Sequence, residues 1–219
     1  MPILYKMLAS NLLFSARFYA ILDIGCTPSV RLHEMCGAVL AGGANVVQLR
    51  AKGATTAERV EILKMLAPMC AAAKVPLVCN DDLEAALAVP GVGLHVGQDD
   101  LPAWKARAAL GTERVLGLST HSLEQARAAL ALGEVLTYFA VGPVFATATK
   151  PDYPAVGLEL VRAVAALTPT LPWFCIGGIN RKNVGLVRAA GARAVVAVSN
   201  VLLDDDPAGA VQELKAAME

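Results

Sequence analysis

The sequence is poor in aromatic residues and has no excess of charge, and both shortages restrict what the chain can be. Only 5% of its 219 residues are Phe, Trp or Tyr, whereas 56% are hydrophobic. The core must therefore be built from Ala, Val, Leu and Ile, which favours helices packed on buried parallel strands. Lys and Arg number 19, as do Asp and Glu, so the formal net charge is zero. Proteins that bind nucleic acid by neutralising phosphates usually carry a basic excess, so we expect no nucleic-acid partner.

Paired cysteine motifs and long apolar runs are also missing. The five cysteines, which include no C-x-x-C pair, are Cys26, Cys36, Cys70, Cys79 and Cys175. Their odd number and wide spacing predict reduced, mostly buried thiols in a cytoplasmic protein. No run is long and apolar enough to span a bilayer, so no membrane partner is expected. Residues 1–16 contain a modestly apolar stretch that Asn11 interrupts and no convincing cleavage site, and we interpret them as an amino-terminal extension.

Short aliphatic runs alternate with longer amphipathic segments along the rest of the chain. Two of the helical segments have clear start signals, one at Thr55–Thr56 and one at Ser122, where Gln125 lies at capping-box spacing. Gly133 falls where the second of these helices should end. The eight runs predicted to be strands are Phe18–Asp23, Asn45–Arg50, Pro76–Asn80, Val92–Val96, Val115–Ser119, Thr137–Val141, Trp173–Ile176 and Ala194–Ser199.

Strands that alternate with helices predict parallel βαβ units, and eight such units in a chain of this length fit a closed barrel. The predicted fold class is therefore α/β, a (β/α)8 TIM barrel in a single domain that covers residues 17–219. A doubly wound open sheet is the alternative. It should carry a glycine-rich dinucleotide loop after the first strand, and the segment DIGCTPS does not supply G-x-G-x-x-G.

The second predicted strand, in the segment NVVQLRAK, ends with cationic residues. Gln48, Arg50 and Lys52 share one side of the strand, while Val47 and Leu49 project to the other. A cationic pair on the inward side of the barrel rim is costly unless it meets an anion. Two interpretations stay open: the pair binds a substrate phosphate, or it is solvated or paired with Asp or Glu.

The third and fourth predicted strands lead into VCNDD and HVGQDD. Adjacent strands lie about 5 Å apart, so a carboxylate after each could share one cation. Two carboxylates, completed by phosphate oxygens and water, are a common Mg²⁺ site. We choose Asp81 and Asp100 as the metal ligands and interpret Asp82 and Asp99 as helix-start or solvent residues. The alternative is that all four simply favour helix amino termini.

The loops after the fifth and sixth strands carry further polar groups. The segment GLSTHS offers Ser119, but His121 is not expected to act as a base, and His95 is interpreted as a hydrogen-bonded core residue. The segment GPVFATATKPDYPAVG is longer than most connections, which favours a functional lid. The residues of that loop that could bind a phosphate are Thr147, Thr149 and Lys150. The loop could equally be an ordinary polar surface loop.

Glycine and serine follow the last two strands. Gly177 and Gly178 let backbone N–H groups approach a phosphate closely, and Ser199 ends the predicted eighth strand. The loops after strands seven and eight are the usual phosphate address of this fold. The pattern therefore predicts a neutral site for a phosphate monoester, separate from a cationic, metal-bearing site for a diphosphate. The diphosphate site would be built from Arg50, Lys52, Lys150, Asp81 and Asp100.

The motifs QLRAK, NDD, HVGQDDLP, GLSTHS, GPVFATATK, IGGIN and VAVSN resemble, in order and spacing, those of the thiamine-phosphate synthase family, from about residue 18 to residue 202. The resemblance implies a transferase that joins hydroxymethylpyrimidine diphosphate to a thiazole phosphate, releasing pyrophosphate. It implies Mg²⁺ bound by Asp81 and Asp100. It implies catalytic roles for Arg50, Lys52, Ser119 and Lys150. The implied substrate contacts are Gln48, Leu49, Arg50, Ala51, Lys52, Asn80, Ser119, Thr147, Ala148, Thr149, Lys150, Gly178, Val198 and Ser199.

Other functions stay open at this point. A thiazole tautomerase of the same fold would need the phosphate-monoester site but has no reason to keep the metal and cationic set. A non-catalytic barrel that binds the pyrimidine diphosphate would keep that set without releasing pyrophosphate. A barrel that acts on sugar phosphates would leave one of the two phosphate sites unexplained. The expected partners are small-molecule substrates and, as a possibility, further copies of this chain.

Overall fold

The computed structural model describes residues 12–147 and 154–219. Its eight parallel strands form a closed barrel in sequence order. The first strand pairs with the last, so the predicted (β/α)8 barrel is confirmed and the open sheet is excluded. The strands are β1 (Phe18–Asp23), β2 (Val46–Arg50), β3 (Leu77–Asn80), β4 (Gly93–Val96), β5 (Leu116–Thr120), β6 (Tyr138–Val141), β7 (Trp173–Ile176) and β8 (Val195–Ala197).

Helices follow the strands and cover the outside of the barrel. They are α1 (Leu32–Ala41), α2 (Thr56–Ala72), α3 (Leu83–Ala88), α4 (Ala103–Leu110), α5 (Leu123–Ala131), α6 (Gly157–Ala166), α7 (Val184–Ala189), α8 (Ser199–Leu202) and α9 (Pro207–Ala216). The eighth strand is shorter than predicted. It ends at Ala197, and Ser199 begins α8 instead of continuing the strand.

Local signals in the sequence position the helices. Thr55 caps α2, as predicted, and the structure adds a full capping box with Glu58. Ser122 caps α5 by accepting a hydrogen bond from the Gln125 N–H, but the Gln125 side chain accepts from the backbone of His121, so the second half of the box is displaced by one residue. Gly133 follows α5 with a φ of +51°, which confirms it as the terminator.

Side chains of the strands alternate between two apolar clusters, because successive residues of a strand face opposite sides. The outer cluster packs the strands on the helices and includes Leu22 and Leu49. The inner cluster fills the barrel with Tyr19, Tyr138 and Phe174, whose rings meet edge to face with centroids 5.3–5.7 Å apart. These rings close the middle of the barrel, so space for a ligand remains at its ends.

The start of the described chain packs on the barrel. Leu13 and Ala16, from the predicted amino-terminal extension, are buried in the inner cluster. All five cysteines are free, and all except the half-buried Cys26 are buried, which confirms the prediction for the thiols. Within the part of the chain that the structure describes, no helix is both long enough and apolar enough to cross a membrane.

Candidate active site

A cavity opens at the carboxyl ends of the strands, above the ring of inner aromatic side chains. Each of the eight strands, or the loop after it, contributes to the wall. The lining residues are Tyr19, Ile21, Gln48, Arg50, Asn80, His95, Ser119, Thr120, His121, Ala140, Gly142, Pro143, Thr147, Ile176, Gly177, Gly178, Ile179, Val196, Ala197, Val198, Ser199 and Asn200. The barrel therefore brings the residues predicted from eight separate segments to one mouth.

A second, outer cavity adjoins the first and shares Asn80 with it. It is lined by Ala51, Lys52, Arg59, Asn80, Asp81, Asp82 and Leu83. Arg59 connects the loop after β2 to the loop after β3, because its Nε donates to the carbonyl of Ala51 and its Nη1 to Asp82. The predicted diphosphate residues of β2 and β3 therefore border two cavities that share Asn80.

Some predicted site residues lie apart from these two cavities. The Leu49 side chain packs in the outer cluster, so a contact between Leu49 and a substrate can use only its backbone. Asp100 lies on the loop after β4 and is not among the residues that line either cavity. Ala148, Thr149 and Lys150 lie outside the described residues.

Arg50 forms an ion pair with Asp23, with 2.5 Å between Nη1 and Oδ2 and with side chains that are 11% and 2% exposed. The two residues are directly opposite each other in the pairing of β1 with β2. Of the two interpretations of the cationic strand end, the ion pair is thus confirmed for Arg50. The guanidinium nevertheless borders the inner cavity, and with five N–H donors it can bind an anion while it holds Asp23.

The loop after β3 separates the roles of two neighbouring aspartates. Asp82 caps α3 by accepting from the Ala85 N–H, which confirms its interpretation as a helix-start residue. Burial alone would raise the pKa of Asp82, but hydrogen bonds from Ala85, Thr56 and Arg59 outweigh it and lower the pKa below its usual value. Asp81 is exposed, with a φ of +63°, and accepts a hydrogen bond of 2.5 Å from Asn80.

The two aspartates predicted to bind Mg²⁺ follow neighbouring strands. The backbone N–H of Asp81 donates to the carbonyl of His95, which continues the β3–β4 ladder beyond the strand. Asp100 is exposed and accepts a 2.7 Å hydrogen bond from Gly97. Among the described residues, no group of three or more His, Cys, Asp or Glu side chains is placed to hold a metal. Two exposed carboxylates suit a different kind of site, one that substrate phosphates and water complete.

The loops after β7 and β8 form a close-fitting wall. Gly178 has a φ of +63°, and a Cβ atom there would lie 2.6 Å from the carbonyl oxygen of Ala146. Asn200 donates to the carbonyl of Ile179 and joins the two loops. Asn200 was not predicted as a site residue, although it directly follows the predicted Ser199. No side chain larger than hydrogen fits at Gly178, so the wall is built from backbone.

A chain of hydrogen bonds crosses the barrel from Gln48 to Ser119. Gln48 Nε2 donates to the Tyr19 hydroxyl, and the hydroxyls of Tyr19 and Tyr138 are 2.8 Å apart. His95 connects Tyr138, through Nδ1, to Ser119, through Nε2, at 2.8 Å on each side. The interpretation of His95 as a hydrogen-bonded core residue is confirmed. Neither tyrosine was predicted as a site residue, because its only signal in the sequence is an inward position in a chain with few aromatic residues.

His121 also directs its ring at a backbone group. Its Nδ1 lies 2.5 Å from the carbonyl oxygen of Gly142, so this nitrogen carries the proton and donates it. The hydrogen bond attaches the loop after β5 to the start of the loop after β6. His121 therefore joins two loops of the cavity wall.

The fold and the two cavities define a (β/α)8 barrel with cationic and glycine-rich walls at the carboxyl ends of its strands, the end at which enzymes of this fold have their active sites. The sequence profile described as thiamine monophosphate synthase matches residues 18–201. The chain belongs to this family, whose members named below are transferases.

Relatives agree with this assignment. The chain is 43% identical to thiamine-phosphate synthase of Mycolicibacterium smegmatis over 206 residues, which covers 88% of this chain and 90% of the relative. It is 44% identical to thiamine-phosphate synthase of Streptomyces avermitilis, with 94% of each chain covered. The solved structure of thiamine phosphate pyrophosphorylase from Pyrococcus furiosus has a TM-score of 0.84 and 31% identity, covering 95% of this chain and 98% of that one.

Proposed function

We propose that the chain joins hydroxymethylpyrimidine diphosphate to a thiazole phosphate, forming thiamine phosphate and pyrophosphate. The observation that carries the proposal is the presence of two different anion-binding walls on one barrel mouth. Cationic and carboxylate groups lie after β2 and β3, and a backbone wall lies after β7 and β8. An enzyme that joins two phosphorylated substrates needs both walls, and the two must adjoin.

The diphosphate is assigned to the side of Arg50, Lys52 and Asn80. Arg50 borders the inner cavity, Lys52 borders the outer cavity, and Asn80 borders both. Asp81 and Asp100 would hold Mg²⁺, and bound there the ion would neutralise the charge that grows on the departing diphosphate. Lys150, assigned to the same group by its motif, would add a third cation.

The thiazole phosphate is assigned to the opposite wall. Gly178, Val198 and Ser199 line the inner cavity at the loops after β7 and β8, and Thr147 lines it from the loop after β6. Backbone N–H groups and hydroxyls bind a phosphate monoester without adding net charge. Ala148 and Thr149 are assigned to this site from their motif.

The chemistry needs little proton transfer. The aminopyrimidine stabilises positive charge on its methylene carbon, so the bond from carbon to the diphosphate oxygen breaks and pyrophosphate leaves with the electron pair. The thiazole nitrogen then forms a bond to the same carbon with its own lone pair, so no general base is required. The protein supplies orientation of the two rings and electrostatic stabilisation of the leaving group, through Arg50 and the lysines.

We also infer a reducing cytoplasmic location. The five cysteines are odd in number, widely spaced and without a C-x-x-C pair. Such a set of cysteines is typical of proteins whose thiols stay reduced in the cytoplasm.

One assay separates the proposed function from its rivals. The purified protein is mixed with the pyrimidine diphosphate, the thiazole phosphate and Mg²⁺, and pyrophosphate is measured with and without a chelator. We expect release that needs both substrates and stops with chelator. Isomerisation of the thiazole without pyrophosphate would identify a tautomerase. Tight binding of the pyrimidine diphosphate without turnover would identify a non-catalytic barrel.

Gly178→Ala tests the thiazole side of the site. The new methyl group would press on Ala146 and Phe145 while the backbone keeps a φ that alanine disfavours. We expect the KM for the thiazole phosphate to rise by about tenfold or more, in line with a penalty of about 1–3 kcal/mol for a strained backbone. The KM for the pyrimidine diphosphate should change little.

Gly133→Ala is the matched control for this substitution. Gly133 also has a positive φ, but nothing lies within 4 Å of its missing Cβ, and it lies outside both cavities. Gly133→Ala should lower the free energy of unfolding by a similar amount and leave both KM values unchanged. Equal changes of KM in the two variants would show that Gly178 acts through general strain and not at the phosphate wall.

A further inference from the structure

The hydrogen-bonded chain from Gln48 to Ser119 has a property that follows from counting its hydrogens. It contains four hydrogen bonds, and three interior members, Tyr19, Tyr138 and His95, take part in two bonds each. Burial is the main cause that raises the pKa of both tyrosines, so each keeps its one hydroxyl hydrogen. A neutral histidine has one ring hydrogen.

The interior members thus supply three hydrogens for four bonds. The fourth hydrogen must come from one end of the chain, either from the amide of Gln48 or from the hydroxyl of Ser119. If Gln48 donates inward, every bond points towards Ser119, and Ser119 accepts. If Ser119 donates inward, every bond is reversed. The two ends cannot both accept from the chain, because three hydrogens cannot fill four bonds. Both ends could donate only if a buried tyrosine accepted twice and left its own hydrogen without a partner, which costs about 1–3 kcal/mol.

The orientation of the Gln48 amide selects one of these two directions. Gln48 Nε2 donates to Tyr19, so Tyr19 donates to Tyr138 and Tyr138 donates to Nδ1 of His95. His95 then carries its proton on Nε2 and donates it to Ser119. In this direction the Ser119 hydrogen is left to point at the cavity, which both end residues line, and Gln48 has its Oε1 to offer there.

We propose that Tyr19, Tyr138 and His95 are positioning residues that force Gln48 and Ser119 to present opposite hydrogen-bonding characters to the cavity, an acceptor at Gln48 and a donor at Ser119. The proposal rests on the proposed function, because it identifies the group that would be recognised. An aminopyrimidine ring has an amino group that donates and ring nitrogens that accept. One acceptor and one donor, held in a fixed relation by a buried chain, match that pattern.

The direction of the hydrogen-bonded chain can be tested without any substrate, because it determines which ring nitrogen of His95 carries the proton. The protein has three histidines, and nitrogen NMR of their side chains distinguishes the two neutral tautomers, with a His95→Asn variant to assign the signals. We expect the proton on Nε2 in the unaltered protein. In Gln48→Glu, at a pH high enough to ionise the new carboxyl, whose pKa burial raises, the carboxylate cannot donate to Tyr19. All four bonds must then reverse, and the proton should move to Nδ1.

This readout distinguishes a directed chain from ordinary packing, since the hydrogen bonds that connect residue 48 to His95 within the described residues run through the two tyrosines. Adding Tyr138→Phe to Gln48→Glu should break the connection while the ring keeps its edge-to-face contacts with Tyr19 and Phe174. In the double variant, His95 should then have the same tautomer as in the Tyr138→Phe single variant. The same His95 tautomer in Gln48→Glu and in the unaltered protein would overturn the proposal.

The role in recognition has its own measurement. Tyr138→Phe should raise the KM for the pyrimidine diphosphate by about tenfold, the effect of one lost hydrogen bond of about 1.4 kcal/mol, and leave the KM for the thiazole phosphate unchanged. A purely structural role would lower stability without separating the two KM values, and that result would contradict the proposal. Absence of any pyrophosphate release in the unaltered protein would contradict the proposed function, while the tautomer experiment would still decide the direction of the chain.

Discussion

Replacing Asp81 with asparagine is expected to lower kcat by about 100- to 1000-fold, the usual cost of removing one group that stabilises developing charge. Asparagine has almost the same shape and tolerates the positive φ of this position better than alanine does, so the loop should keep its conformation. What is lost is the negative charge that would bind Mg²⁺ beside the diphosphate. The measurement is steady-state pyrophosphate release over a range of Mg²⁺ concentrations.

The dependence on Mg²⁺ shows whether Asp81 acts through the metal. If it does, the variant should need a higher Mg²⁺ concentration for half-maximal rate, and Asp100→Asn should show the same defect. Asp99→Asn is the matched control, because Asp99 is exposed, carries the same charge and is interpreted as a solvent residue. A normal rate and a normal metal requirement in Asp81→Asn would remove both aspartates from the proposed metal site.

The sequence was sufficient to predict the barrel and most of its mouth, because strand periodicity determines which side chains face inward. Gln48 and Arg50 were expected on the inward side and Leu49 on the outward side, and the structure places them so. The eighth strand was predicted too long because the apolar run continues to Val198. The chain turns at that residue, with φ −122° and ψ −91°, and an apolar pattern carries no signal for such a turn.

Contacts between distant segments could not be read from the sequence. Asp23 and Arg50 are opposite each other only because of the register between β1 and β2, which no local pattern reveals. The hydrogen bonds through Tyr19, Tyr138 and His95 connect three strands that are not neighbours, β1, β6 and β4. Inward tyrosines are indistinguishable from core phenylalanines by periodicity alone, so their hydroxyls became meaningful only when the closed barrel brought them together.

Arg50→Gln is expected to have two large effects, one on stability and one on activity. Asp23 is 2% exposed, so removing its cationic partner leaves an uncompensated buried charge. The free energy of unfolding should fall by about 3 kcal/mol, as for other broken buried ion pairs. Turnover should fall as well, because Arg50 borders the cavity assigned to the diphosphate. Denaturant unfolding and pyrophosphate release measure the two effects separately.

The double variant Asp23→Asn/Arg50→Gln separates the two roles of the arginine. Replacing the pair by two neutral amides removes the unpaired buried charge, so most of the lost stability should return. The diphosphate would still lack the cation, so turnover should stay as low as in Arg50→Gln alone. If activity returned together with stability, Arg50 would serve only to hold Asp23, and the cation for the leaving group would have to come from Lys52 or Lys150. Variants of the ion pair thus separate the contribution of Arg50 to stability from its contribution to turnover.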